Sequence, residues 1–197
     1  MWKSRSSRPT SKSLLGSLEG VRLRKPLTPQ ELIELDQALT EVFALHRALK
    51  SRIPTARYIK FPQVPAILAE SFVIVTASKL FGAEWKAKFG GSVSDVQLSN
   101  AAGQTQRVEV KSTASHAFQE FKLKDLSADT LVWICFGKRF HEGYGTIQIV
   151  ILDNPGAHIL KPVRLDIPRL MRRIGDTSDL RYIEVANFEE FLLSSVL

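Results

Sequence analysis

The chain has a single cysteine, Cys135, among its 197 residues, so no intramolecular disulfide can form and a stapled extracellular framework is excluded. Cys135 lies in the apolar run Leu131-Val132-Trp133-Ile134-Cys135-Phe136, where it is expected to be a buried, inert thiol in a reducing cytoplasm. Histidine is scarce as well. His46, His116, His141 and His158 are far apart and have no cysteine partners at the intervals that zinc demands, which argues against a structural zinc site. No apolar run approaches the ~20 residues a membrane helix needs, so no membrane span is expected. A Gly-x-x-x-x-Gly-Lys-Ser/Thr loop is missing, which removes the usual triphosphate cradle, and there is no internal repeat. Acidic residues are in short supply: 20 against 27 lysines and arginines, a net charge of +7. Such a field favours polyanions, with nucleic acid the leading partner.

The remaining composition, 44% hydrophobic and 24% charged, is that of a folded domain and excludes disorder throughout. Residues 1–27 read as a flexible basic arm: Lys3, Arg5, Arg8, Lys12, Arg22, Arg24 and Lys25 stand against Glu19 alone. This Ser/Arg-rich stretch also suits a transit peptide, although it has no clear amphipathic period. Residues 28–197 read as one domain. Thr28-Pro29-Gln30-Glu31 joins an N-cap threonine, a first-turn proline and an N3 glutamate, and so predicts a helix over residues 28–50. A second, largely apolar helix is expected from Pro65 to Leu80, ending near Gly82 and carrying Glu70. Gly90-Gly91 reads as a turn before the first strand, and residues 115–127 read as mixed helix or turn containing Gln119 and Glu120. Residues 130–136, 144–152 and 182–185 read as strands, and 187–193 as a capped last helix.

The richest segment is Ser94-Asp95-Val96-Gln97-Leu98, the polar turn Asn100-Ala101-Ala102-Gly103-Gln104, and Arg107-Val108-Glu109-Val110-Lys111. It reads as a β-hairpin. With residues 100–104 as the loop, paired residues have numbers summing to 204, so Asp95 faces Glu109. Alternation puts Glu109 and Lys111 on one face and Val108 and Val110 on the other. Like charges directly opposite destabilise a hairpin, and a divalent cation shared between them is the simplest compensation.

These residues, Asp95 followed by Glu109-Val110-Lys111, resemble the signature of the PD-(D/E)xK nuclease superfamily, which includes type II restriction endonucleases. Ser94 stands where the family usually has proline, and the resemblance covers about residues 64–153. It implies an α/β restriction-endonuclease-like core with a mixed central sheet flanked by helices. It also implies Mg²⁺-dependent hydrolysis of double-stranded DNA by a cytoplasmic homodimer, with a structure-specific repair or junction nuclease, or an inactive nucleic-acid binder, as alternatives. Asp95, Glu109, the Val110 carbonyl and Glu70 would bind metal. Lys111 would sit by the attacked phosphate, its pKa lowered by burial among cations, and would orient or deprotonate the attacking water. Replacing Glu109 or Lys111 is expected to abolish cleavage with the fold intact. Lys138, Arg139, Arg169, Arg172 and Arg173 are candidate DNA contacts because arginine and lysine bind phosphates and guanine edges.

Overall fold

The computed structural model describes residues 24–53, 55, 60, 62–115 and 118–195. Residues 1–23 of the basic arm and His116 lie outside the described residues. Helix α1, Pro29–Arg52, begins as its sequence requires: the Thr28 hydroxyl accepts from the Glu31 amide, and the Glu31 carboxylate accepts from the Thr28 amide at 2.7 Å. The following apolar segment is two helices, α2 (Ala66–Val75) and α3 (Ala77–Phe81), where the sequence suggests one. The break falls at Thr76, whose hydroxyl donates to the Phe72 carbonyl at 2.7 Å, a back-bond that bends helices. Gly82, at φ +114°, then ends α3 in a conformation that disfavours any side chain.

Four strands follow: β1 (Lys86–Phe89), β2 (Val96–Ser99), β3 (Thr105–Thr113) and the short β4 (Gln119–Phe121). Then come α4 (Leu123–Leu126), β5 (Thr130–Cys135), a π-helical turn at Lys138–Glu142 and β6 (Ile147–Asp153). The chain ends with α5 (Pro155–His158), β7 (Val163–Leu165), α6 (Ile167–Ile174), β8 (Leu180–Val185) and α7 (Phe188–Leu193). The result is a mixed α/β fold. Six strands form a sheet in the order β1-β2-β3-β5-β6-β8, in which only β3 and β5 are parallel, and β4 and β7 pair apart from it.

Alternation along the strands divides the core in two. Val108, Val110, Val132, Ile134, Ile149 and Ile151 point to one face, where Leu32 and Phe43 of α1, Phe72 of α2 and Phe188 of α7 cover them. Leu131, Trp133, Cys135, Val150 and Leu152 point to the other, beneath Phe121, Leu165 and Leu170. All six residues of β5 are buried, as a strand covered on both faces requires. Each fully buried aliphatic or aromatic side chain contributes about 1.5–3 kcal/mol, so these two layers dominate stability.

Three expectations need correction. Gly90-Gly91 joins β1 to β2 instead of preceding the first strand. A side chain at Gly90 would collide with the Ser94 hydroxyl and carbonyl, and the Gly90 amide binds the Asp95 carbonyl at 3.0 Å. Gln119 and Glu120 lie on a strand, because their segment pairs with β7, some 45 residues onward, through Glu120 opposite Arg164. The arm also ends sooner than residue 27. The Leu27 amide donates to the Ser71 hydroxyl at 3.0 Å, and Leu27 packs against the core.

Candidate active site

β2 and β3 pair Val96 with Val108 and Ser99 with Thr105, the register read from the turn; the ladder ends at Val96, one residue short of the expected Asp95–Glu109 pair. The turn is fixed by Asn100, whose side-chain oxygen accepts from the amides of Ala102 and Gln104. Ser94 is buried and its hydroxyl donates to the Val96 carbonyl at 3.0 Å, which braces the backbone on either side of Asp95. Asp95 is in turn held by the Val110 amide, which donates to its Oδ2 at 2.9 Å.

Glu109 and Lys111 share the second face of the sheet, facing Leu131 and Trp133 of β5. The Glu109 side chain is only 3% exposed, and its Oε1 receives both the Lys111 ammonium at 3.0 Å and the Lys124 ammonium at 3.1 Å. Lys111 also reaches Asp125 Oδ1 at 2.9 Å, and Asp125 is as buried as Glu109. Burial alone would pull Lys111 down, but the hydrogen bonds it donates to Asp125 and Glu109, with their charge, push it above its ordinary 10.5. This corrects the expected depression. Lys111 sits between two carboxylates instead of among cations, so it is a fixed ammonium and not a proton acceptor near neutral pH.

Glu70 enters from α2. Burial raises its pKa, the Arg24 guanidinium at 3.2 Å lowers it, and the charges of Asp95 and Glu109 raise it again, leaving it above its ordinary 4.5. The charges of Asp95 and Glu109 therefore lie close enough to act on Glu70. Asp125, Lys124 and Arg24 were not assigned to the site from sequence. Asp125 had a signal: it lies three residues after Lys122 and its Oδ2 accepts the Lys122 amide at 2.8 Å, the helix-start pattern without its usual hydroxyl.

Among the described residues, no group of three His, Cys, Asp or Glu side chains is arranged to hold a metal ion by itself. A hard cation that keeps waters and phosphate oxygens asks for less, one or two carboxylates. The donor set fits that demand. Among the described residues, Asp95 Oδ1, Glu109 Oε2 and Glu70 Oε1 receive no hydrogen bond, and the Val110 carbonyl belongs to the same backbone. Lys124 and Arg24 neutralise part of this charge, with side chains 63% and 61% exposed.

The candidate DNA-contacting residues lie elsewhere. Arg139 bonds both oxygens of the buried Asp36 and lies over the Phe188 ring, so the structure uses it to neutralise a core carboxylate. Arg169, Arg172 and Arg173 are exposed on α6, which Asp166 caps through the Arg169 amide at 2.8 Å. Lys138 borders a cavity of about 540 Å³ between the sheet and α6, which none of the four carboxylates lines. The cavity's Tyr182 hydroxyl donates to Glu184 and is pushed up to about 12, by burial first and by Glu184 second. Among the described residues, no helix is long and apolar enough to cross a membrane. Comparison with protein-family models, curated proteins and solved structures finds no match.

Proposed function

We propose that this chain is a Mg²⁺-dependent DNA endonuclease with a restriction-endonuclease-like core. The observation that carries the reading is the buried Glu109 carboxylate, next in the chain to Val110, whose amide holds Asp95, at a point where Glu70 meets the charge of both. The element order supports it: helix α2, the antiparallel strands β1, β2 and β3, then a short helix and β5 parallel to β3. The net charge of +7 supports a polyanionic substrate.

Asp95, Glu109, Glu70 and the Val110 carbonyl would hold Mg²⁺, which supplies Lewis-acid stabilisation of the phosphate and acidification of a bound water. The chain's own groups have separable roles. The Val110 amide orients Asp95, and Asp125 is a positioning residue that fixes the Lys111 ammonium beside Glu109. From there Lys111 neutralises charge growing on the phosphorus oxygens, as a preorganised cation does best in a partly buried site.

Incubating the protein with plasmid DNA and Mg²⁺ and sequencing the ends tests this directly. Nicked or linear product is expected, lost in chelator and reduced at least ~100-fold by Glu109→Gln. A defined cut sequence with two-fold symmetry marks a homodimeric type II restriction enzyme, whereas cuts at junctions or flaps mark a structure-specific repair nuclease. An intact plasmid under all divalent conditions, or unchanged turnover in Glu109→Gln, overturns the proposal.

A further inference from the structure

Lys111 and Asp125, fourteen residues apart in the chain, meet at 2.9 Å. Phe118 lies midway between them in the sequence. The residue is 38% exposed and belongs to neither of the two apolar layers. Two guanidiniums approach the ring: Arg164 from β7 at 5.4 Å from the centroid and Arg169 from α6 at 5.0 Å. Both arginines are exposed. Residues 160–174 carry Lys161, Arg164, Arg169, Arg172 and Arg173 against Asp166 alone, so the surroundings are strongly cationic.

An exposed aromatic ring between cations is poorly explained by stability, because surface cation–π contacts contribute little. It is what a base stacked out of a duplex requires. Every base has a π-face, guanidinium planes stack on bases as readily as rings do, and the neighbouring charges follow the phosphate backbone. A duplex offers no such face along its side, since its bases are already stacked on each other. Position agrees with this. Phe118 is separated from α4, which carries Lys124 and Asp125, by the three residues of β4 and by Lys122, about 16 Å of extended chain. A base lying on Phe118 is therefore a few nucleotides from the phosphate at Lys111.

We propose that Phe118, Arg164 and Arg169 form a stacking platform for an unpaired base of the DNA strand bound at the candidate active site. The substrate class is then DNA with a single-stranded segment beside the cut: a flap, a bubble or a locally opened duplex. The platform's place in catalysis rests on the nuclease reading, but its test does not depend on cleavage. Fluorescence anisotropy in Ca²⁺ compares a short labelled oligothymidine with a duplex of equal length. Phe118→Ala is expected to lower single-strand affinity about 5- to 100-fold, at unchanged slope of log affinity against log salt, and to change duplex affinity less than about twofold. Phe118→Trp is expected to keep single-strand affinity and gain a fluorescence signal that single strands quench and duplexes do not. Thermal melts of both variants should match the wild type, as the ring fills no core space. Unchanged single-strand affinity, equal losses on both ligands, or a flatter salt slope overturns the platform. Plasmid cleavage without a Phe118 effect removes the platform and leaves the nuclease; a Phe118 effect without cleavage does the reverse.

Discussion

Replacing Lys111 by methionine removes one positive charge from between two buried carboxylates and keeps most of the side-chain volume. Glu109 and Asp125 are each 3% exposed, and Lys111 is 21% exposed. Breaking a buried ion pair by deleting one partner typically costs 3–5 kcal/mol. Two features reduce that here: Lys124 remains on Glu109 Oε1, and the Lys122 amide remains on Asp125 Oδ2. A loss of about 2–3 kcal/mol is therefore expected, or a fall in melting temperature of about 4–12 °C for a domain of this size. Because Lys111 titrates above its ordinary 10.5, its stabilisation is fully present below that value and fades only as pH rises through the raised one. The gap between variant and wild type should thus be flat across neutral pH. Circular dichroism melts in chelator measure it, and a cycle with Glu109→Gln apportions it: Lys111→Met should cost less once Glu109 is neutral. With Mg²⁺ added, Lys111→Met should gain more stability than wild type, because the ion supplies the missing positive charge. A melting temperature within about 1 °C of wild type, or strict additivity with Glu109→Gln, would refute the assignment of Lys111 as a buried counter-ion. Substitution at this position is therefore expected to cost stability, where the sequence alone suggested an intact fold.

Glu70→Gln should raise the melting temperature of the metal-free protein at neutral pH: the raised pKa of Glu70 means that its protonated form is favoured in the fold, that this contribution is lost as pH rises through the folded value, and that glutamine mimics the protonated state. The advantage should close as pH falls toward 4.5, and a destabilised variant at pH 7 would show that the Arg24 ion pair outweighs burial. Arg139→Ala should cost about 2–4 kcal/mol in a denaturant titration, since it strands the Asp36 carboxylate on α1, while leaving DNA affinity unchanged. Unaltered stability with weakened DNA binding would return Arg139 to the nucleic-acid surface.

The hairpin was legible because period-two alternation and an Asn-to-Gln turn specify register together, and a slip of one residue would have buried Lys111 among valines. The start of α1 was equally plain, since three signals coincide at Thr28, Pro29 and Glu31. What escaped notice depended on distant partners. β1 has only Ala87 and Phe89 to turn inward, too short an alternation to stand out. β4 and β7 are three residues each and become strands only by finding one another. The same gap hid Asp125: while its segment read as mixed helix or turn, nothing placed a second carboxylate beside Lys111, and the lysine's surroundings were assigned the wrong sign. α6, by contrast, has a readable start in the N-cap Asp166 and the first-turn Pro168.

Counted as charges, the corner where Lys111 lies holds four acidic side chains, Glu70, Asp95, Glu109 and Asp125, and three basic ones, Arg24, Lys111 and Lys124. It is slightly negative inside a chain of net +7. A polyanion is drawn to the molecule as a whole but meets repulsion over the last few ångströms, well inside the ~8 Å screening length of physiological salt. Small cations experience the opposite: repelled from a distance and welcomed at the corner. For a substrate of the proposed kind, arrival would be ordered by range, with the strand captured on outlying basic surface and its phosphate admitted only once the local sign had been reversed. Arg24 and Lys124, both largely exposed, are the counter-ions free to leave in that exchange, and Lys111 is the charge that stays.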